Sequence, residues 1–131
     1  MGFDGVQMGS RFLLSEEANV SSTFKNLCLN AKKEDIIEIM SSVGLKANAL
    51  KTRFSNMVAE NQAPAPEYCD NCLKHCSEKF CIKQALLRGR KGDTDNGIFF
   101  TGKGVWKIKE ILSVKEIFNK IRELKENFNC S

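Results

Sequence analysis

The sequence predicts an α/β chain that is mostly helical, and three stretches carry that prediction. Near the start, the apolar run Val6-Gln7-Met8 stands between glycines and feeds a polar turn at Gly9-Ser10. It reads as a strand, with a helix expected after it from Ser15-Glu16-Glu17. Farther on, Ile36-Ile37-Glu38-Ile39-Met40 is a β-branched run of strand length, bounded by charged residues and by Ser41-Ser42. Toward the other end, Val114, Ile117, Phe118, Ile121, Leu124 and Phe128 form one apolar stripe at helical spacing. Ser113 caps that helix, and Glu116 completes a capping box.

Taken in order, the opening joint is strand, tight turn, helix. That geometry points backbone N–H groups at an anion. Gly9 lets the main chain approach closely, and Ser10 adds a hydroxyl donor. The plainer reading is a tight joint with Arg11 as a surface charge. Residues 16–29 then read as a helix with apolar Val20, Phe24 and Leu27, ahead of the Ile36-to-Met40 strand. Residues 45–60 place Leu50, Phe54, Met57 and Val58 at helical spacing and predict one amphipathic helix. Asn61-Gln62-Ala63-Pro64-Ala65-Pro66 breaks it and makes an extended linker. A cysteine-rich stretch follows, then a helix over residues 81–88 closed by Gly89. Residues 92–104 read as loop, with four glycines around the apolar Ile98-Phe99-Phe100. In the last helix, Glu116 and Lys120 form an i,i+4 pair worth about 0.2–0.5 kcal/mol.

A chain of 131 residues suits one domain with a modest core. The net charge of +4 is spread rather than clustered, which speaks against a nucleic-acid partner. The lysine-rich stretch from Lys103 to Lys125 interleaves Glu110, Glu116 and Glu123 and reads as a solvated face. Arg88-Gly89-Arg90-Lys91 reads as a short exposed basic loop. No run approaches the roughly 20 apolar residues of a membrane span, and no signal-peptide pattern opens the chain. Six cysteines without such a signal predict a reducing, cytoplasmic setting, with thiols free or metal-bound rather than a disulfide scaffold. No internal repeat is present.

Cys69, Cys72, Cys76 and Cys81 have the spacing C-x2-C-x3-C-x4-C, with His75 alongside. Thiolates this dense suit zinc or an iron–sulfur cluster. Against that, Cys69, Cys72 and Cys76 fall on one helical face and read equally as small core residues. Only one C-x2-C hook is present, so no metal ligand is assigned. Cys28 and Cys130 are isolated and read as inert. His75, the sole histidine, reads as a half-exposed side chain. Gly92-Asp93-Thr94-Asp95-Asn96-Gly97 has turn composition, and the bidentate glutamate of a calcium loop is missing.

Gly5-Val6-Gln7-Met8-Gly9-Ser10-Arg11-Phe12 resembles the last barrel strand of the nitronate monooxygenase family, also called 2-nitropropane dioxygenases. The related flavin-type enoyl-acyl-carrier-protein reductases share it. Gly44-Leu45-Lys46-Ala47-Asn48-Ala49-Leu50-Lys51-Thr52-Arg53-Phe54 resembles the family's helix after its small-domain strand. The segment from Gly92 to Gly97, followed by Gly102, is similar to one near the end of these enzymes. The resemblance implies the C-terminal part of a TIM-type (β/α)8 barrel, a fold that needs roughly 250 residues when complete.

It further implies FMN as cofactor, held at its phosphate by Gln7, Met8, Gly9 and Ser10, chiefly through backbone donors. The implied substrate is a small molecule, an alkyl nitronate, oxidised with O₂ to a carbonyl compound and nitrite. A flavin-dependent enoyl reductase is the alternative on the same scaffold. A non-catalytic cysteine-rich metal-binding or interaction domain is the alternative from another class. The family's histidine base belongs to an upstream barrel loop that His75 does not match, so no catalytic residue is assigned here. Residues 97–104 are expected at the cofactor face, with Lys103 departing from the family pattern and Trp106 as a packing anchor. The implied organisation is residues 1–30 as last strand, phosphate turn and helix, and 31–66 as a small subdomain with linker. Residues 67–92 form the cysteine-rich helical segment, and 93–131 the cofactor-face loop and closing helix. The expected partners are the remaining barrel portion or further copies of the chain.

Overall fold

The computed structural model describes residues 5–129, and side chains to residue 127. Its first element is α1, a single turn over Ser10–Leu13 with Gly9 at the N-cap position. Residues 5–8 form no strand, and Val6 is 78% exposed. This corrects the opening-strand prediction, and the reason is lateral. A strand exists only where its N–H and C=O groups find a neighbour, and no described segment pairs with residues 5–8. The nearest ladder contact comes later, a parallel bridge between Ser15 and Leu112. That bridge also displaces the next helix. Residues 15–20 cross toward Leu112, so α2 covers Ser22–Asn30 instead of starting near residue 16. The Ser21 hydroxyl caps it by accepting from the Phe24 N–H at 3.1 Å, a contact worth about 1 kcal/mol.

The β1 strand, Ile36–Met40, forms as the sequence predicts. Its partner does not follow the prediction. Residues 45–60 divide into β2, Lys46–Leu50, and α3, Arg53–Ala59. The two strands are antiparallel, with Ile36 opposite Leu50 and Met40 opposite Lys46. A turn over residues 41–45 places Gly44 at φ 79°, and there the Ser41 N–H donates to the Leu45 carbonyl at 2.9 Å. Pairing with β1 overrides the local helical spacing of Leu50 and its neighbours. The helix starts only after Thr52, where Thr52 and Ser55 exchange backbone-to-hydroxyl bonds at 2.7 and 3.3 Å.

Residues 60–81 contain no helix or strand, which corrects the helical reading of the cysteine-rich stretch. Then α4 covers Ile82–Lys91, capped by Gly92 in the left-handed conformation at φ 90°. Gly89 is therefore inside the helix and does not close it. Its place there is steric: a Cβ on Gly89 would lie 2.1 Å from the Ile98 carbonyl oxygen. Glycine lets α4 lie directly on the backbone of residues 97–99.

Those residues organise the core. The Leu50 N–H donates to the Phe99 carbonyl at 2.9 Å, and Ala49 bridges Phe100, so this segment runs alongside β2. Successive side chains of an extended segment point to opposite faces. Phe99 accordingly fills one cluster with Leu14, Phe24, Cys28 and Val105, while Ile98 fills the other with Ile39, Phe54 and Ala85. Phe24 meets Phe99 edge-on at 4.8 Å between ring centroids, and Phe54 meets Phe80 similarly at 5.9 Å.

The closing helix α5, Val114–Asn129, bears out the last prediction. Its capping box is present: Glu116 accepts from the Ser113 N–H at 2.8 Å, and Ser113 Oγ accepts from the Glu116 N–H at 3.3 Å. Lys120, however, pairs with Glu110 at 2.6 Å rather than with Glu116. Of the apolar stripe, Ile117 is buried while Phe118 and Leu124 are 47% and 58% exposed; the side chain of Phe128 lies outside the described residues. No helix among the described residues is long and apolar enough to cross a membrane.

Candidate functional site

Gln7, Met8, Gly9 and Ser10 lie at the entrance to α1, with Gln7 and Gly9 exposed and Met8 and Ser10 half-buried. Gly9 accepts from the N–H groups of Phe12 and Leu13, both at 3.1 Å. As in any helix start, the N–H groups just before these have no intrahelical acceptor. A Cβ built on Gly9 meets nothing within 4 Å, so the turn faces open space. Ser10 is placed by a distant segment: its Oγ accepts from the Gly102 N–H at 2.8 Å. A hydroxyl that accepts one bond still has its own proton to donate.

That contact brings the opening turn against the loop 97–104, two candidates 92 residues apart in sequence. The loop is anchored on both sides. The Thr101 N–H donates to the Asn48 carbonyl at 3.0 Å, and Val105 is fully buried. Lys103 is exposed. Trp106 is half-buried, with the Lys107 ammonium 5.5 Å from its ring centroid.

Arg11 is not the free surface charge that a plain reading of the turn gives. Its Nη2 donates to the Leu14 carbonyl at 2.7 Å and to the Glu110 carbonyl at 2.6 Å, tying α1 to the segment before α5. Partial burial pulls its guanidinium below the usual value, opposed by the charge of Glu110. Its Nε is buried without a hydrogen-bond partner. The apolar neighbours Phe12, Leu13 and Leu14 were the available signal that position 11 is drawn inward.

The remaining candidates lie elsewhere. Asp93 closes a turn, its Oδ1 accepting from the N–H groups of Asp95 and Asn96 at 3.1 and 3.0 Å. Cys69 and Cys72 are exposed, Cys76 and Cys81 half-buried, and His75 exposed rather than half-buried. With no helix there, the shared helical face of Cys69, Cys72 and Cys76 does not exist. All four thiols are free and border a cavity of about 500 Å³. Among the described residues, no three His, Cys, Asp or Glu groups are placed to hold a single metal ion.

A family model described as nitronate monooxygenase matches residues 1–123. The chain belongs to the nitronate monooxygenase family. Probable nitronate monooxygenases of Staphylococcus aureus strains JH9 and MRSA252 are each 29% identical to it over 68 residues, 52% of this chain and 19% of theirs. The solved structure of FabK from Thermotoga maritima is similar over 98% of this chain and 39% of its own, with 28% identity and a TM-score of 0.76. A mutant of that FabK gives 26% identity and a TM-score of 0.70. This nitronate monooxygenase family member thus spans about two fifths of the structure it resembles and about one fifth of those curated relatives.

Proposed function

We propose that this chain supplies the phosphate-binding turn and closing helix of an FMN-dependent barrel oxidoreductase that oxidises alkyl nitronates with O₂. Family membership supports the flavoenzyme class. The single observation that carries the site is the Ser10–Gly102 hydrogen bond, which sets the glycine turn against the loop expected at the cofactor face. The residues suit a phosphate. Gly9 opens onto free space, the first amides of α1 need acceptors, and the Ser10 hydroxyl retains its proton. In this reading Gln7, Met8, Gly9 and Ser10 hold the FMN phosphate. The bound flavin supplies the redox chemistry, and the protein supplies orientation and electrostatics.

A flavin-dependent enoyl reductase is the second reading, favoured by the fit to FabK over 98% of the chain. Nitrite release from an alkyl nitronate, set against consumption of reduced nicotinamide with an enoyl thioester, separates the two reactions. The site is tested apart from the reaction by Gly9→Asp in the barrel enzyme that carries this segment. Gly9 has φ −95° and ψ −63°, which any residue adopts, and its Cβ direction is empty, so the fold tolerates the change. A carboxylate beside a phosphate repels it. FMN affinity is expected to fall by at least about tenfold, or 1.4 kcal/mol, with riboflavin affinity unchanged. Equal FMN binding by both proteins overturns the site.

A further inference from the structure

The cysteine-rich segment has no part in that reading, yet it is the least ordinary stretch of the fold. Residues 60–81 run without helix or strand, and structureless connections of this length inside a compact domain are usually functional or disordered. This one is shaped. The Asn71 N–H donates to Cys69 Sγ at 3.4 Å, and the Glu78 N–H donates to Cys76 Sγ at 3.4 Å. Asn71 and Glu78 both adopt left-handed conformations, at φ 53° and 57°, a backbone state that is costly for residues other than glycine. The same turn is therefore built twice, seven positions apart, each time aiming an N–H at a sulfur two residues earlier. A neutral thiol is a weak acceptor, whereas hydrogen bonds to the sulfurs are a standing feature of metal-bound thiolates.

Lys83 and Asp70 line the same cavity as the other two thiols. The Lys83 ammonium is ion-paired with Asp70. The loop is also tied to the hairpin: Ser42 Oγ donates to the Phe80 carbonyl at 2.6 Å, and the Ser77 N–H donates to the Ser42 carbonyl at 2.9 Å. The cavity is thus lined both by the hairpin turn, through Ser42, Val43 and Gly44, and by the four thiols.

We propose that Cys69, Cys72, Cys76 and Cys81 ligate a four-iron, four-sulfide cluster in this cavity. The geometry separates this from a single zinc ion. Zinc needs its sulfurs about 2.3 Å from one point, and no three groups here converge on one. A cubane spreads its four ligand positions over separate irons, so thiols around a cavity of about 500 Å³ suit it better. The first three cysteines fall within one short run, as three ligands of a ferredoxin-type cluster do, and Cys81 on the same cavity supplies the fourth. Binding takes one proton from each thiol as its sulfur joins an iron, with no change in the sulfur's oxidation state.

The test is anaerobic reconstitution of the 131-residue chain with sulfide and equal amounts of ferric and ferrous iron, which together match the oxidation level of the reducible cluster, followed by desalting. The expected product is brown, with about four iron and about four sulfide per chain, and dithionite reduction bleaches it and yields a paramagnetic signal. Cys72→Ser and Cys76→Ser each lose most of the iron, while Cys130→Ser retains it. Far-ultraviolet circular dichroism of each variant shows whether the helices remain. Iron retained by a folded chain lacking all four cysteines overturns the proposal. So does a stoichiometry of one zinc and no iron, or no metal retained by the wild-type chain.

Discussion

Cys28 shows how a single residue is decided by what surrounds it. It is fully buried against Leu14, Phe24 and Phe99, and burial pushes its thiol from 9.0 up to about 12. The consequence for stability has a definite sign. Between those values the unfolded chain gives up the thiol proton and the folded chain keeps it, so unfolding gains with each step in pH. Stability is expected to fall as pH climbs from 9.0 toward about 12. Cys28→Ala, though less stable overall through its cavity, should lack that alkaline slope in denaturant titrations. An identical slope in both proteins rules the thiol out as its source. Glu116 shifts the other way: hydrogen bonds from Ser113 hold its carboxyl below the usual range. Its stabilisation is present above the ordinary carboxylate pKa and is lost as pH falls through the lowered one. Full exposure keeps that effect small.

At the scale of elements, helix α4 lies directly against the extended residues 97–99, and glycine permits it. Alanine is intrinsically the better helix former by about 1 kcal/mol, so an exposed glycine in α4 would gain from replacement. Gly89→Ala is expected to do the reverse. Its methyl would sit 2.1 Å from the Ile98 carbonyl oxygen, a backbone atom that cannot step aside alone. Overpacking of this kind costs about 1–3 kcal/mol, read as a lowered denaturation midpoint. A rise in midpoint would mean that α4 slides freely over Ile98. The same contact explains a sequence-level error. Gly89 carries the composition of a helix end, but close backbone approach is an equally good reason for glycine, and sequence does not distinguish them. The end signal that held was Gly92, three residues on, in the left-handed conformation. Helix α5 was legible because its cap, box and periodicity are all local. The hairpin was half legible: β1 announces itself by β-branching, whereas Ala47 and Ala49 of β2 have no strand preference and take it from β1 and Phe100.

For the molecule as a whole, the distribution of exposed apolar residues bears on association. Val6 at 78%, Leu45 at 68% and Leu124 at 58% leave large apolar side chains in water. Apolar side chains left in water gain by meeting others on a second copy of the chain. The chain by itself is therefore expected to self-associate at high concentration, seen as early elution and rising light scattering. Replacing both Val6 and Leu124 by lysine should return it toward a monomer without loss of helix signal. A wild-type chain that stays monomeric at all concentrations would show those side chains to be harmless.

By itself, the sequence determined the family, the two most local elements and the glycine turn, because motifs, caps and short-range periodicity are written in neighbouring residues. Tertiary structure alone decided that residues 5–8 carry no strand, that residues 46–50 join β1, and that Ser10 meets Gly102. It also decided that the four cysteines border a cavity instead of lining a helix. Each of those outcomes depends on whether a hydrogen-bond or packing partner is met outside the local segment, as Gly102 meets Ser10, and that is decided by burial and pairing across the fold, not by the residues nearby.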